Sequence, residues 1–159
     1  MTTNNLKSQI AALSNESDRA KGLENALTQI LADFQSETGT IHSLDSAKQL
    51  LHLQSQVGLP PQMLDIVKTI PVGKGIAGQT AAQDKPVTIC NLQTDTSGVA
   101  KPGARQTGVG GALSVPMHCD GKIVGTLGIG TRRQHEYTAE ETQRLQELAD
   151  LIASHLTGV

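Results

Sequence analysis

The sequence predicts an α+β domain in which an antiparallel sheet is covered on both faces and a helical segment lies at each end of the chain. Three observations carry this. Asp120-Gly121 sits between two apolar runs, Gly111–Cys119 and Lys122–Gly130, and Asp-Gly in that setting is a two-residue hairpin turn. If Cys119 pairs with Lys122, one face of the hairpin holds Leu113, Val115, Met117, Val124 and Thr126. The other face then holds Ala112, Ser114, Pro116, Ile123, Gly125, Leu127 and Ile129. Both faces are mostly apolar, so neither faces water. The third observation is helical spacing at both ends, through Leu6, Ile10, Leu13, Leu23, Leu27, Ile30 and Phe34 at the start and Leu145, Leu148, Leu151, Ile152 and Leu156 at the close.

The remaining elements follow in order. Ser14 to Asp18 is rich in cap formers, which divides the N-terminal stretch and starts a second helix over about residues 17–35. Its narrow apolar strip, running from Leu6 to Leu31, suits either docking on its own domain or pairing with a second copy. Residues 1–22 are accordingly expected to be a helical extension and a dimerisation candidate, with the domain proper over 23–157. Period-two alternation over 38–46 and 49–57 predicts a first hairpin. Pro60 and Pro61 open a short helix ended by Pro71, and the glycine turn from Gly73 to Gly78 leads into a second short helix. A strand over Pro86–Cys90 and a long, glycine-rich loop over 91–110 come next. Thr138-Ala-Glu-Glu141 is a capping box that opens the last helix.

Composition removes several functions. The chain has 159 residues, a net charge of −2, one Phe, one Tyr and no Trp, so bases or sugars find almost no rings to stack on. With 13 basic against 15 acidic side chains there is no basic surplus for nucleic acid. No apolar run reaches the ~20 residues of a membrane span, and the first residues lack a signal-peptide core, so a soluble, cytoplasmic protein is expected. Cys90 and Cys119 are too few for a disulfide framework or a four-thiolate zinc site. His42, His52, His118, His135 and His155 show no metal-ligand spacing, and no nucleophile signature or pair of spaced carboxylates is present. The sequence assigns no cofactor.

Gly73-Lys-Gly-Ile-Ala-Gly78 matches G-x-G-x-x-G, with Asp95 downstream. The segment before it is too short and proline-broken for a buried parallel strand, so the glycines are read as a chain reversal capping a short helix, with N–H groups free to hold a small anion. Charge supports an anionic ligand. Lys68, Lys74, Lys85, Lys101 and Arg105 outweigh Asp84 and Asp95 over residues 66–111, whereas acids dominate after Gln134.

The words Glu37-Thr-Gly, Leu59-Pro-Pro, Ile70 to Gly78, Lys85-Pro-Val, Ala112 to Met117, Gly121 to Leu127 and Tyr137-Thr-Ala-Glu-Glu, in this order, resemble the GAF domain, a small-molecule-binding regulatory module related to PAS domains. The resemblance implies a central six-stranded antiparallel sheet. It places the terminal helices on one face, often in a dimer bundle, and short helices with a long loop over a ligand pocket on the other. The N-K-x-F-x-x-x-D-E word of cyclic-nucleotide binders is not kept around Tyr137, and residues 91–110 hold no cysteine for a bilin. Free methionine sulfoxide reductases are single GAF domains with loop cysteines and an aromatic pocket, and this chain has neither a cysteine in that loop nor a tryptophan.

The expected function is therefore a sensory or regulatory module that binds a small, polar or anionic ligand and signals through its terminal helices to a separate protein, as a homodimer. An enzyme is the less favoured reading: a thiol-dependent redox enzyme using Cys90 or Cys119. The ligand is expected to meet Gly75, Ile76, Thr80, Thr88, Cys90, Arg105, Ala112 and Ser114, with small Ala112 and Gly125 leaving room for it.

Overall fold

The computed structural model describes residues 19–89 and 110–157. Helix α1 (Arg19–Asp33) leads into strands β1 (Thr38–Asp45) and β2 (Leu50–Val57). A 3-10 turn (Pro61–Met63) runs into a single helical turn, α2 (Leu64–Val67), followed by β3 (Thr69–Pro71), α3 (Gly75–Gln83) and β4 (Val87–Ile89). The hairpin β5 (Ala112–Cys119) and β6 (Lys122–Gly130) precedes the long α4 (Ala139–Thr157). The strands form one six-stranded sheet in the order β3-β2-β1-β6-β5-β4, every neighbouring pair antiparallel.

Local chemistry accounts for the element ends. Asp120 and Gly121 both take positive φ, 54° and 76°, the geometry of the tight turn that matches strand twist. At the start of α4, Thr138 N–H donates to Glu141 Oε1 and Glu141 N–H to Thr138 Oγ1, both at 3.0 Å. Such a cap stabilises by about 1 kcal/mol.

The register of the last hairpin differs from the straight pairing expected from its turn. Cys119 does face Lys122, but pairing steps from His118↔Ile123 to Met117↔Gly125, which leaves Val124 as an extra residue on β6. A bulge of one residue exchanges the faces of everything beyond it. Leu127 and Ile129 therefore lie beside Val115 and Leu113 on one face, while Thr126 and Gly128 lie beside Pro116 and Ser114 on the other.

The first of these faces carries the core. Leu23, Leu27 and Ile30 of α1 and Leu145, Leu148 and Ile152 of α4 pack with Ile41, Leu113, Val115, Met117 and Leu127, all at or below 2% exposure. The apolar strip of the first helix thus docks on its own domain from Leu23 to Phe34; the part of the strip through Leu6, Ile10 and Leu13 lies outside the described residues. Arg144 ties the two helices together, pairing with Asp33 and lying 4.7 Å from the centre of the Phe34 ring.

Candidate functional site: a cavity on the second face of the sheet

The opposite face of the sheet is roofed by α2 and the start of α3, and a cavity of about 160 Å³ lies between them. Its floor comes from alternate residues of three neighbouring strands: Thr38, Thr40 and His42 of β1, Gly128 of β6, and Ala112 and Ser114 of β5. Met63, Ile66, Val67 and Ile70 supply an apolar wall, and Gly75, Ile76 and Ala77 bring in the first turn of α3.

The glycine turn holds that helix in place. Gly73 and Gly75 have φ of 93° and 66°, and a Cβ on Gly78 would stand 2.6 Å from the Pro71 carbonyl. The Gly73 N–H donates to the Gly78 carbonyl at 2.8 Å, and Gln79 Nε2 donates to the Gly73 carbonyl at 2.8 Å. The motif serves a chain reversal, and its second glycine begins the helix facing the cavity.

Two side chains of the cavity each bury a polar atom that has no partner among the described residues. The Nδ1 of His42, a residue 1% exposed, and the Oγ of Ser114, a residue 2% exposed, receive no hydrogen bond and make none. His42 Nε2 lies 2.8 Å from the Val67 carbonyl, which fixes the proton on Nε2 and leaves Nδ1 a bare acceptor. Burial pushes the imidazole pKa below the usual histidine value, with His52 acting in the same direction against the Val67 bond, so the ring is neutral at physiological pH. A buried polar atom left unpaired costs about 1–3 kcal/mol, a cost that a bound molecule removes.

Of the residues expected from sequence to meet a ligand, Gly75, Ile76, Ala112 and Ser114 do come together around this cavity. Thr80 does not line it: its hydroxyl donates to the Ile76 carbonyl one turn back, at 2.9 Å. Thr88 also lies elsewhere, exposed on β4 with its hydroxyl on the Ala112 carbonyl at 3.1 Å. Cys90 and Arg105 lie outside the described residues, as does most of the loop 91–110. Gly125, expected to leave room for the ligand, faces the helices instead, where its Cβ would meet Leu156; Gly128 and Gly130 are the β6 glycines that line the cavity. No lysine or arginine is among the described residues that line the cavity, and Lys74 is exposed at the N-cap of α3.

Thr40, His42, Met63 and Val67 were not anticipated. The available signal was the alternation Thr38, Thr40, His42 along β1, which puts three polar side chains on one face with Gly39 and Ile41 on the other.

The model of the GAF domain family matches residues 17–157. The chain belongs to the GAF domain family. No curated protein sequence matches it. Among solved structures, the GAF domain of a phosphoenolpyruvate-protein phosphotransferase from Coxiella burnetii is similar with a TM-score of 0.80 and 17% identity, covering 98% of this chain and 93% of that one. A free methionine-R-sulfoxide reductase from Neisseria meningitidis, solved with its substrate, has a TM-score of 0.77 and 19% identity over 96% of this chain and 86% of its own. The corresponding enzyme of Staphylococcus aureus in its reduced form gives 0.73 and 22% over 98% and 95%. At these identities the likeness shows the fold alone, which GAF domains of larger proteins and reductases share. Within the described residues, no helix is long and apolar enough to cross a membrane.

Proposed function

We propose that this GAF domain is a sensory or regulatory module that holds a small molecule in the cavity beneath α2 and α3 and transmits its presence through the terminal helices to a separate protein. The observation that carries this reading is the pair of buried, unpartnered polar atoms, His42 Nδ1 and Ser114 Oγ, in a cavity otherwise walled by apolar side chains. A neutral imidazole acceptor and a hydroxyl suit a small, largely apolar molecule with an N–H or O–H group. No cationic side chain is among the described lining residues, and Lys101 and Arg105, on which the expectation of an anion partly rested, lie outside the described residues. A ligand changes the helices only by binding one of their arrangements better than another, and α3, which touches the cavity, is the element through which it would do so. The extension over residues 1–22 remains the candidate for pairing two copies.

A thiol-dependent reductase has less support. Cys119, the one cysteine among the described residues, is at the turn end of β5 and is not among the lining residues.

Melting temperatures of the purified protein against a library of small neutral amides, alcohols and heterocycles test the reading. At least one compound should raise the wild-type value, since a ligand at a hundred times its Kd stabilises by about 2.7 kcal/mol. Ala112→Phe, which fills the cavity from its floor, should fold and respond to none. Equal responses in the two proteins, or no response in the wild type, would refute the assignment.

A further inference from the structure

Three elements meet at His118, at the turn end of β5. His118 Nε2 lies 2.6 Å from Asp84 Oδ1, and Nδ1 lies 3.2 Å from Asp150 Oδ1. Asp84 is the C-cap of α3, held left-handed at φ 52° with its N–H on the Thr80 carbonyl. Asp150 belongs to α4, and the same Oδ1 accepts the His118 N–H at 3.0 Å and Gln146 Nε2 at 3.1 Å, while Gln146 also reaches the Pro116 carbonyl at 2.6 Å. One imidazole therefore joins the far end of the cavity helix to the terminal helix.

A neutral imidazole has one N–H and donates to one carboxylate, turning a lone pair toward the other; the imidazolium donates to both. Asp84 from α3 and Asp150 from α4 are the charges in contact with the ring. The nearest charged positions along those elements are Lys85 and Glu147, the turn carries Asp120 and Lys122, β6 sets Ile123 opposite, and β4 has no charged side chain.

We propose that protonation of His118 closes a clamp between α3 and α4, so that pH sets how strongly the state of the cavity is felt at the terminal helix. This rests on the cavity being the ligand site, whereas the clamp itself is testable without a ligand. Partial burial lowers the imidazole pKa, but the hydrogen bond and charge of Asp84, with those of Asp150, outweigh it and leave the pKa above the usual 6.5. A pKa raised on folding means that the contribution is fully present below 6.5 and is lost as pH rises through the folded value.

NMR titration of the full chain should give a His118 pKa above 6.5, falling by about half a unit or more in Asp84→Asn and in Asp150→Asn. Hydrogen exchange, corrected for its intrinsic pH dependence, should show a change in α4 protection from pH 8.0 to pH 5.5 that is more favourable in the wild type than in His118→Gln, the His42 contribution being common to both. A His118 pKa at or below 6.5, or the same change in α4 protection in the two proteins, would overturn the clamp. Phenol, close in size to the benzene that enters cavities of about this volume and carrying an O–H for His42 Nδ1, separates the clamp from the reading beneath it. Failure of phenol to bind the wild type at either pH defeats the ligand cavity. Phenol binding that alters α4 exchange equally at both pH values defeats the clamp.

Discussion

Gly125→Ala should destabilise the domain by about 3 kcal/mol or more, and Gly128→Ala, three residues along the same strand, should be nearly neutral. Gly125 sits in β6 opposite Ser43 of β1 and Met117 of β5, in the middle of the sheet. A Cβ there would stand 2.2 Å from the His42 carbonyl oxygen and 2.9 Å from Leu156 Cδ1. The first neighbour is backbone held in a ladder on both sides and cannot yield without separating strands. At Gly128 the nearest atom is Thr40 Oγ1 at 3.2 Å, a side-chain atom on the cavity floor that can rotate away. Urea unfolding of the two variants decides it. The contrast also tests the bulge at Val124, because straight pairing would turn Gly125 to the cavity. Equal costs at the two positions would contradict the register.

The second large effect is a loss of stability in acid that belongs to His42. Its pKa is lowered in the folded protein, chiefly by burial. Below 6.5 the unfolded chain gains a proton that the folded one resists, so the contribution of His42 is present above 6.5 and is lost as pH falls toward the folded value. Each pH unit within that window costs up to about 1.4 kcal/mol. His42→Gln keeps a side-chain donor for the Val67 carbonyl and cannot be protonated, so its stability should decline less than that of the wild type between pH 7 and pH 5. His118 acts with the opposite sign and is common to both proteins, so the difference between them isolates His42. Parallel curves from urea titrations at several pH values would show that His42 is not the group responsible.

What could be read from the sequence was local. Asp120-Gly121 and the Thr138–Glu141 box each announce a structure within four residues, and both form as expected. The terminal helices were legible because their apolar spacing repeats over several turns, and the order of short motifs around them marked the family. The cavity was legible only in part. A bulge adds one residue and changes no composition, and the β6 run Gly125-Thr-Leu-Gly-Ile129 fits an apolar setting in either register, so nothing in it marks Val124 as the extra residue. Thr80 shows the limit from the other side: its position in the short helix after the glycine turn suggests a ligand hydroxyl, yet a helical threonine can satisfy itself on the carbonyl four residues back. From sequence His42 enters only as a possible metal ligand, because its role depends on Val67, 25 residues away, and on the neighbouring strands that share its face.

Native mass spectrometry of the wild-type chain and of Ala112→Phe, each incubated with a low-molecular-weight cell extract and desalted gently, tests the central claim most directly. The wild type should carry a non-covalent small-molecule adduct that a modest rise in collision energy removes, and Ala112→Phe should carry none. A wild-type spectrum showing only the bare chain, or the same adduct on both proteins, would contradict the assignment of the cavity floored by Ser114 and His42 as the sensing site.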